Sequence, residues 1–319
     1  MKLPVTEVPG NTPALDVVVV GEALIDVVTT ADGTTEHPGG SPANVAYGLG
    51  RLGVRTGLLT AIANDPHGRM IRDHLDTAGV QLLPGSNTLP RTATATATLA
   101  ADGSARYRFD ILWDLEPVPP GMVPKIFHTG SIATFLAPGA DAVRSLILQC
   151  QGSCLVTYDP NIRPALLGSH HEATTIFEEL VPLTDVVKLS DDDALWLYPG
   201  QTMEETASRI LKLGAELVVV TRGSSGSLLA TPMTQLSIPA IASKVADTIG
   251  AGDSYMSALI FGLLNRPVAG FAPAVLEQIG NTASAAAALT VRRPGANPPT
   301  LDELQAQLRQ DRSPVPSPS

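Results

Sequence analysis

Residues 247–254 read Asp-Thr-Ile-Gly-Ala-Gly-Asp-Ser and run directly into a helix-like stretch over 255–264. Two glycines around one alanine leave the backbone bare just before a helix begins. Consecutive N–H groups can then turn toward one anion, and the helix dipole adds partial positive charge. Gly250, Ala251 and Gly252 are therefore a candidate anion hole. Asp253 follows with a carboxylate that can take a proton from a hydroxyl whose oxygen attacks a held phosphorus. In isolation the same residues would serve as a tight turn and an N-terminal helix acid.

A second constellation lies near the start of the chain, in Gly39-Gly40-Ser41-Pro42-Ala43-Asn44-Val45-Ala46. Gly39 and Gly40 allow close backbone approach, and Asn44 offers a donor and an acceptor in one side chain, as neutral hydroxyls require. Asp26, five residues beyond the strand-ending Gly21, adds an acceptor able to pin two hydroxyls. Taken singly, Asn44 would be a helix cap and Asp26 a turn acid. Arg163, in Asp159-Pro160-Asn161-Ile162-Arg163, can steady a phosphate or an anionic sugar, or simply anchor its loop through an ion pair. Lys188 can offset phosphate charge or be an exposed structural lysine. Neither a Gly-x-x-x-x-Gly-Lys-Ser/Thr loop nor a Gly-x-Gly-x-x-Gly occurs, which argues against a P-loop enzyme and a dinucleotide oxidoreductase.

Together the two segments, far apart and in this order, resemble the ribokinase-like (PfkB) sugar kinase family. Residues 158–164 (Tyr-Asp-Pro-Asn-Ile-Arg-Pro) and 220–226 (Val-Thr-Arg-Gly-Ser-Ser-Gly) are similar to further family segments, and the resemblance runs from about 17 to about 299. Within the family, Gly21-Glu22-Ala23-Leu24-Ile25-Asp26 and residues 293–299 (Arg-Pro-Gly-Ala-Asn-Pro-Pro) are most like bacterial fructokinases. The resemblance implies that Asp26, Gly39, Gly40 and Asn44 hold the sugar, and that Thr221, Gly223, Gly226 and Asn281 hold ATP. It also implies Mg²⁺, and in some members a potassium-like ion, matched here by Asp247 and the backbone near Ile249 and Gly295. Many members carry Asn-x-x-Glu after a central strand, where this chain has Ser190 and Asp193. The acid is one methylene shorter, and it would act on Mg²⁺ through water. The implied activity is ATP-dependent phosphorylation of fructose. A 2-keto-3-deoxygluconate kinase, with Arg163 and Arg108 receiving a carboxylate, a nucleoside or aminoimidazole riboside kinase, and a catalytically silent sugar-binding regulator remain open beside it.

These residues need a scaffold, and the chain has the pattern of one. Short apolar, β-branched runs at 15–20, 154–158, 185–189 and 217–221 suit strands buried on both faces of a parallel sheet. Helical spacing or composition at 44–52, 68–78, 140–149, 174–180 and 203–213 alternates with them, which predicts a wound, mostly parallel α/β layer architecture with helices on both faces. Ala285 to Ala288 suit a tightly packed helix, and Thr300-Leu301-Asp302-Glu303 is a capping box for a final one. Residues 90–114 differ: threonines alternate with small apolar residues, then arginines with aromatic and aliphatic ones, around an Asp-Gly turn. That is period two, hence an antiparallel hairpin. With residues 26–37 it predicts a small sheet outside the main one, which the resemblance places as a lid over the sugar and a contact for a homodimer.

The 319 residues thus read as one domain over 13–311, with flexible ends at 1–12 and 312–319 rich in proline and small polar residues. Its 21 basic against 31 acidic residues, a net charge of −10, disfavour nucleic-acid and anionic-membrane partners, so any phosphate site must be built locally. Two cysteines, Cys150 and Cys154, are too few for a disulfide framework or a closed zinc site. No basic leader with a sustained apolar core and no membrane-length apolar run is present, which leads to the expectation of a soluble cytoplasmic protein.

Overall fold

Four consecutive valines, β1 (Val17–Val20), set the plan of the molecule. All four are buried, and alternation sends Val17 and Val19 into one core and Val18 and Val20 into another. Each is worth about 1.5–3 kcal/mol relative to leaving it in water. The computed structural model describes residues 14–30, 33–99, 105–116, 124–265 and 271–311. The expected flexible ends and the Asp102-Gly103 turn lie outside these.

After β1 the chain leaves the main layer as β2 (Leu24–Thr30) and β3 (Gly33–Gly39), then returns through α1 (Ser41–Arg51), β4 (Thr56–Leu59), α2 (Pro66–Asp76) and β5 (Gln81–Leu82). A second excursion forms β6 (Thr94–Leu99) and β7 (Ala105–Asp110). The order then becomes β8 (Ile126–Gly130), α3 (Gly139–Cys150), β9 (Leu155–Asp159), α4 (His170–Leu180), β10 (Val186–Ser190), α5 (Asp191–Leu197), α6 (Met203–Leu213) and β11 (Leu217–Thr221). The antiparallel β12 (Ser227–Ala230) and β13 (Gln235–Ile238) follow, and α7 (Ala251–Leu264), α8 (Pro273–Thr290) and α9 (Leu301–Asp311) close the described chain.

The main sheet has nine strands in the order β13-β12-β11-β10-β9-β8-β1-β4-β5, parallel from β11 to β5. Residues of α1, α2, α7, α8 and α9 fill the core on one face, and α3, α4, α5 and α6 fill the other. The expected wound α/β fold is therefore present, and β11 and α6 lie on the residues expected for them. The reading overlooked five strands, at 56–59, 81–82, 126–130, 227–230 and 235–238. Among the described residues no helix is long and apolar enough to cross a membrane.

Four strands form the small sheet, in the order β3-β2-β6-β7. Its two hairpins are antiparallel, with Asp26 opposite His37 and Thr96 opposite Arg108, and a parallel β2–β6 pairing joins them. No helix layer of its own covers this sheet among the described residues: β2 passes from buried Leu24 and Ile25 to exposed Thr30, and residues 33–37 of β3 are exposed. Three attachments fix its root. Gly40 adopts φ 98°, and a Cβ there would stand 2.6 Å from the Glu22 carbonyl oxygen. Trp113 buries its ring in the main core and donates Nε1–H to the Ala133 carbonyl at 3.0 Å. Asp65, the N-cap of α2, accepts from the Gly68 N–H and from both the N–H and hydroxyl of Thr92, just before β6.

Candidate active site

Parallel strands end on the same side of a sheet, and ligands bind in the crevice outside their carboxyl ends. Here a cavity of about 370 Å³ lies at that place. Glu22 beyond β1, Ser131 beyond β8 and Asn161 with Arg163 beyond β9 line its floor, while Asp26, Ala95 and Phe109 of the small sheet line the other side. The first turns of α1 and α7 complete it with Ser41, Asn44, Gly250, Gly252 and Asp253.

The helix pair is set by small residues. A Cβ on Gly48 would collide with the Ser257 hydroxyl, and that hydroxyl donates to the carbonyls of Val45 at 3.1 Å and Asp253 at 2.8 Å. The close crossing brings two N-terminal turns together. Ser41 Oγ donates to Asp253 Oδ1 at 2.6 Å and Asn44 Nδ2 donates to Oδ2 at 2.8 Å, so both oxygens of the carboxylate are oriented from α1. Asn44 is thus neither a cap nor a surface residue.

Gly250 is the N-cap of α7, with φ 74°, a left-handed conformation that suits glycine. The Ala251 N–H is turned to the Thr248 carbonyl at 3.2 Å. Those of Gly252 and Asp253 have no protein acceptor among the described residues, which leaves two donors at a positive helix end. Directly beneath, Lys188 Nζ lies 3.3 Å from where a Gly252 Cβ would stand. Lys188 is only 4% exposed, not a surface lysine, and it donates to Asp159 Oδ2 at 2.8 Å. Burial works against its charge, but the Asp159 carboxylate outweighs burial and raises its pKa. Burial pushes the Asp159 carboxyl up against the pull of the Lys188 ammonium. Asp159 Oδ1 is buried with no hydrogen-bond partner. The Lys188 ammonium thus stands between Asp159 and the Gly252 turn.

Asp26 and Gly39 share one corner: a Cβ on Gly39 would strike the Asp26 carboxylate, so only glycine leaves that acid room. Burial raises Asp26 to about 6; His37 and Arg163 pull against this, and Asp253 reinforces it. Arg163 donates to the carbonyls of Asn161 at 3.4 Å and Ile162 at 3.0 Å. Its functional and structural readings meet in one place, because it lines the cavity while holding its loop.

The remaining expected residues stand elsewhere. Thr221 ends β11 beside Ser190 and donates to the Leu189 carbonyl at 3.4 Å. Gly223 and Gly226 adopt φ 49° and 86° in the β11–β12 turn, and a Cβ on Gly226 would strike the Ile238 carbonyl. Gly280 of α8 packs against the Ile238 side chain, which places the exposed Asn281 near that turn. These four form a second group, outside the lining of the cavity. Asp193 takes the N3 place of α5: Oδ2 accepts from the Ser190 N–H at 3.0 Å and Oδ1 from the Ile162 N–H at 2.8 Å. Asp247 accepts from the N–H groups of Ile249 at 3.0 Å and Gly295 at 2.8 Å, which hold its carboxyl below the usual range, so these three residues do meet. Among the described residues no cluster of three metal-ligating side chains occurs.

The sequence reading gave no role to Glu22, Ser41, Ser131 or Asn161. Ser131 and Asn161 have φ 55° and 38°, the only positive values among the described non-glycine residues, and both line the cavity. Each costs about 1–3 kcal/mol, a strain that clusters at ligand sites.

The profile of the pfkB family carbohydrate kinases matches residues 14–303. Fructokinase-2 of Solanum habrochaites is 31% identical over 315 residues, spanning 92% of this chain and 96% of its own. A doubly substituted fructokinase of Vibrio cholerae O395, solved with fructose, ADP and potassium ion, superposes with a TM-score of 0.79 at 27% identity, covering 93% of this chain and 100% of that one. The aminoimidazole riboside kinase of Salmonella enterica, solved with aminoimidazole riboside and an ATP analog, gives a TM-score of 0.79 at 26% identity over 92% of this chain and 99% of its own.

Proposed function

The chain belongs to the pfkB family of carbohydrate kinases, and from that premise we propose that this sugar phosphotransferase is a fructokinase, converting D-fructose and ATP to fructose 6-phosphate and ADP. The observation that carries the reading is Asp253, oriented by Ser41 and Asn44, beside the unpaired N–H of Gly252 and above Lys188. In this reading Asp26, Gly39, Gly40, Asn44 and Arg163 hold the sugar with its primary hydroxyl toward Asp253. The Asp253 carboxylate takes the hydroxyl proton as the oxygen attacks the γ-phosphorus, and ADP leaves. Amides of residues 250–252, joined by that of Asp253, hold the charge on the transferred group. Thr221, Gly223, Gly226 and Asn281 receive the nucleotide.

Mg²⁺ would arrive with the nucleotide phosphates. Asp193 does not fit as a direct ligand, since both its oxygens accept backbone N–H groups, and its influence would pass through water. The monovalent cation expected near Asp247, Ile249 and Gly295 meets the same limit, since both Asp247 oxygens accept the N–H groups of Ile249 and Gly295, and any part Asp247 takes would likewise be indirect. The small sheet, residues 26–37 and 90–114, would act as the lid of a single domain over 13–311 and as the contact between two copies. A cytoplasmic setting belongs to the same proposal.

Arg163 in the cavity favours one competitor, a kinase of an acidic ketosugar, because a guanidinium can pair a carboxylate. ADP release over fructose, ribose, 2-keto-3-deoxygluconate and inosine at saturating Mg-ATP tests both readings. We expect the highest kcat/KM with fructose. A clear preference for another sugar would replace fructose and leave the kinase standing; no turnover with any would favour a sugar-binding regulator.

A further inference from the structure

The cavity floor holds one acid that proton abstraction from the sugar leaves unused. Glu22 lies two residues past β1, is 4% exposed, and still lines the cavity. Its Oε2 accepts the Ala133 N–H at 3.2 Å, and the strained Ser131 also bonds its carboxyl. The Ala133 carbonyl, in the next peptide group, accepts from the Trp113 indole, so Glu22 is held by the same turn that anchors the small sheet. A carboxyl needed only to knit that turn would have no reason to face a cavity already holding Asp26 and Asp253.

We propose that Glu22 is a sugar-recognition residue, giving a hydrogen bond from its carboxylic acid to a hydroxyl oxygen of the bound sugar. The donors Asn44, Arg163 and Lys188 of the cavity are already engaged, with Asp253, the carbonyls of Asn161 and Ile162, and Asp159, so a carboxylic acid at Glu22 adds a donor on the side of the cavity where the acids Asp26 and Asp253 can only accept. The charged groups around Glu22 in the cavity are Asp26 on β2, Arg163 after β9, Lys188 on β10 and Asp253 on α7. Burial raises Glu22 to about 8; bonds from Ser131, its own N–H and Ala133 oppose this, and the Asp253 charge adds to it. The neutral carboxyl can donate one O–H while its other oxygen accepts the Ala133 N–H, whereas the ionised form at alkaline pH can only accept.

The inference rests on the sugar kinase reading, but not on which sugar is used. Full-length chain, without nucleotide, is titrated calorimetrically with the sugar of highest kcat/KM at pH 7 and pH 9.5. At the higher pH about 3% of a group with pKa 8 is still protonated, so wild-type Kd should rise about tenfold or more. Glu22→Gln keeps a donor at every pH and should bind within about threefold of wild type at pH 7, with little change to pH 9.5. Equal pH dependence in the two proteins overturns the proposal. Should Glu22→Gln not fold, Ser131→Ala carries the test: the Ser131 bond lowers the Glu22 pKa, so its loss should move the alkaline weakening to higher pH, and an unmoved profile overturns the proposal. A chain that binds no sugar of the panel removes the premise and the proposal together; one that binds sugar while Glu22→Gln loses affinity toward pH 9.5 as much as wild type removes the proposal alone.

Discussion

The nine-stranded and four-stranded sheets meet at one cavity and are held by opposite means. The main strands are pressed between two cores, so the strand ends and the first turns of α1 and α7 stand on a platform with little freedom. The small sheet is placed chiefly through its root, at Gly40, Trp113 and the Asp65–Thr92 bonds. The groups to which the proposed reaction assigns a fixed geometry, Asp253, Gly252 and Lys188, lie on the platform. Ala95 and Phe109, to which the proposal gives only the task of closing around a ligand, lie on the small sheet. Precision and adjustability are therefore separated in space.

The sharpest test of the platform is Asp253→Asn, for which we expect kcat to fall by ~10²–10⁴-fold with sugar affinity largely kept. Turnover within twofold of wild type would take proton abstraction away from this residue. Gly250→Ala should act next. Its Cβ would stand 2.6 Å from that of Ala296 at φ 74°, so strain of about 1–3 kcal/mol should lower Tm and phosphoryl transfer together while sugar Kd stays near wild type. An unchanged Tm would mean that the turn is less rigid than the comparison requires.

On the other side, Asp65→Ala removes the α2 cap and the tie to Thr92, for a loss of about 1–2 kcal/mol. Its signature should be faster hydrogen exchange over 94–99 and 105–110 and a raised sugar KM, with kcat little changed. In the wild type, sugar should slow exchange in those strands more than in β8 to β11. Equal protection with and without sugar would end the view of the small sheet as a closing element. The smallest effect belongs to Glu36 on β3, 3.3 Å from His67 on α2 at the surface. Such pairs contribute about 0–1 kcal/mol, so Glu36→Gln should shift Tm by no more than about 2 °C.

The place of the cavity was legible where residue type and spacing leave few alternatives, as in the turn from Gly250 to Asp253 and in Gly40 with Asn44, and the period-two texture within residues 90–114 marked the strands β6 and β7. It was not legible where a common residue gains its role from a distant one. Ser41 reaches Asp253 only because Gly48 and Ser257 let two helices touch, and Glu22 faces the cavity only because Ser131 is held in a strained turn. Lys188 on a strand gives no sign in sequence that it is buried against Asp159. The strands at 56–59 and 126–130 were missed because Gly57, His128 and Thr129 interrupt the apolar runs. Packing on both faces, rather than local pattern, makes them strands.

The bonds from Ser41 and Asn44 to Asp253 span 212 and 209 residues of chain. On a ribosome the N-terminal half of the site must therefore wait for more than two hundred residues before its reactive acid exists. A partly made chain can hold the β1 region and the small sheet, yet it has no means of turning over ATP. Loop closure over that distance is slow relative to local helix formation, so refolding should restore helical circular dichroism before activity. Competence to transfer phosphate is in this sense a certificate that the whole chain has been built and closed.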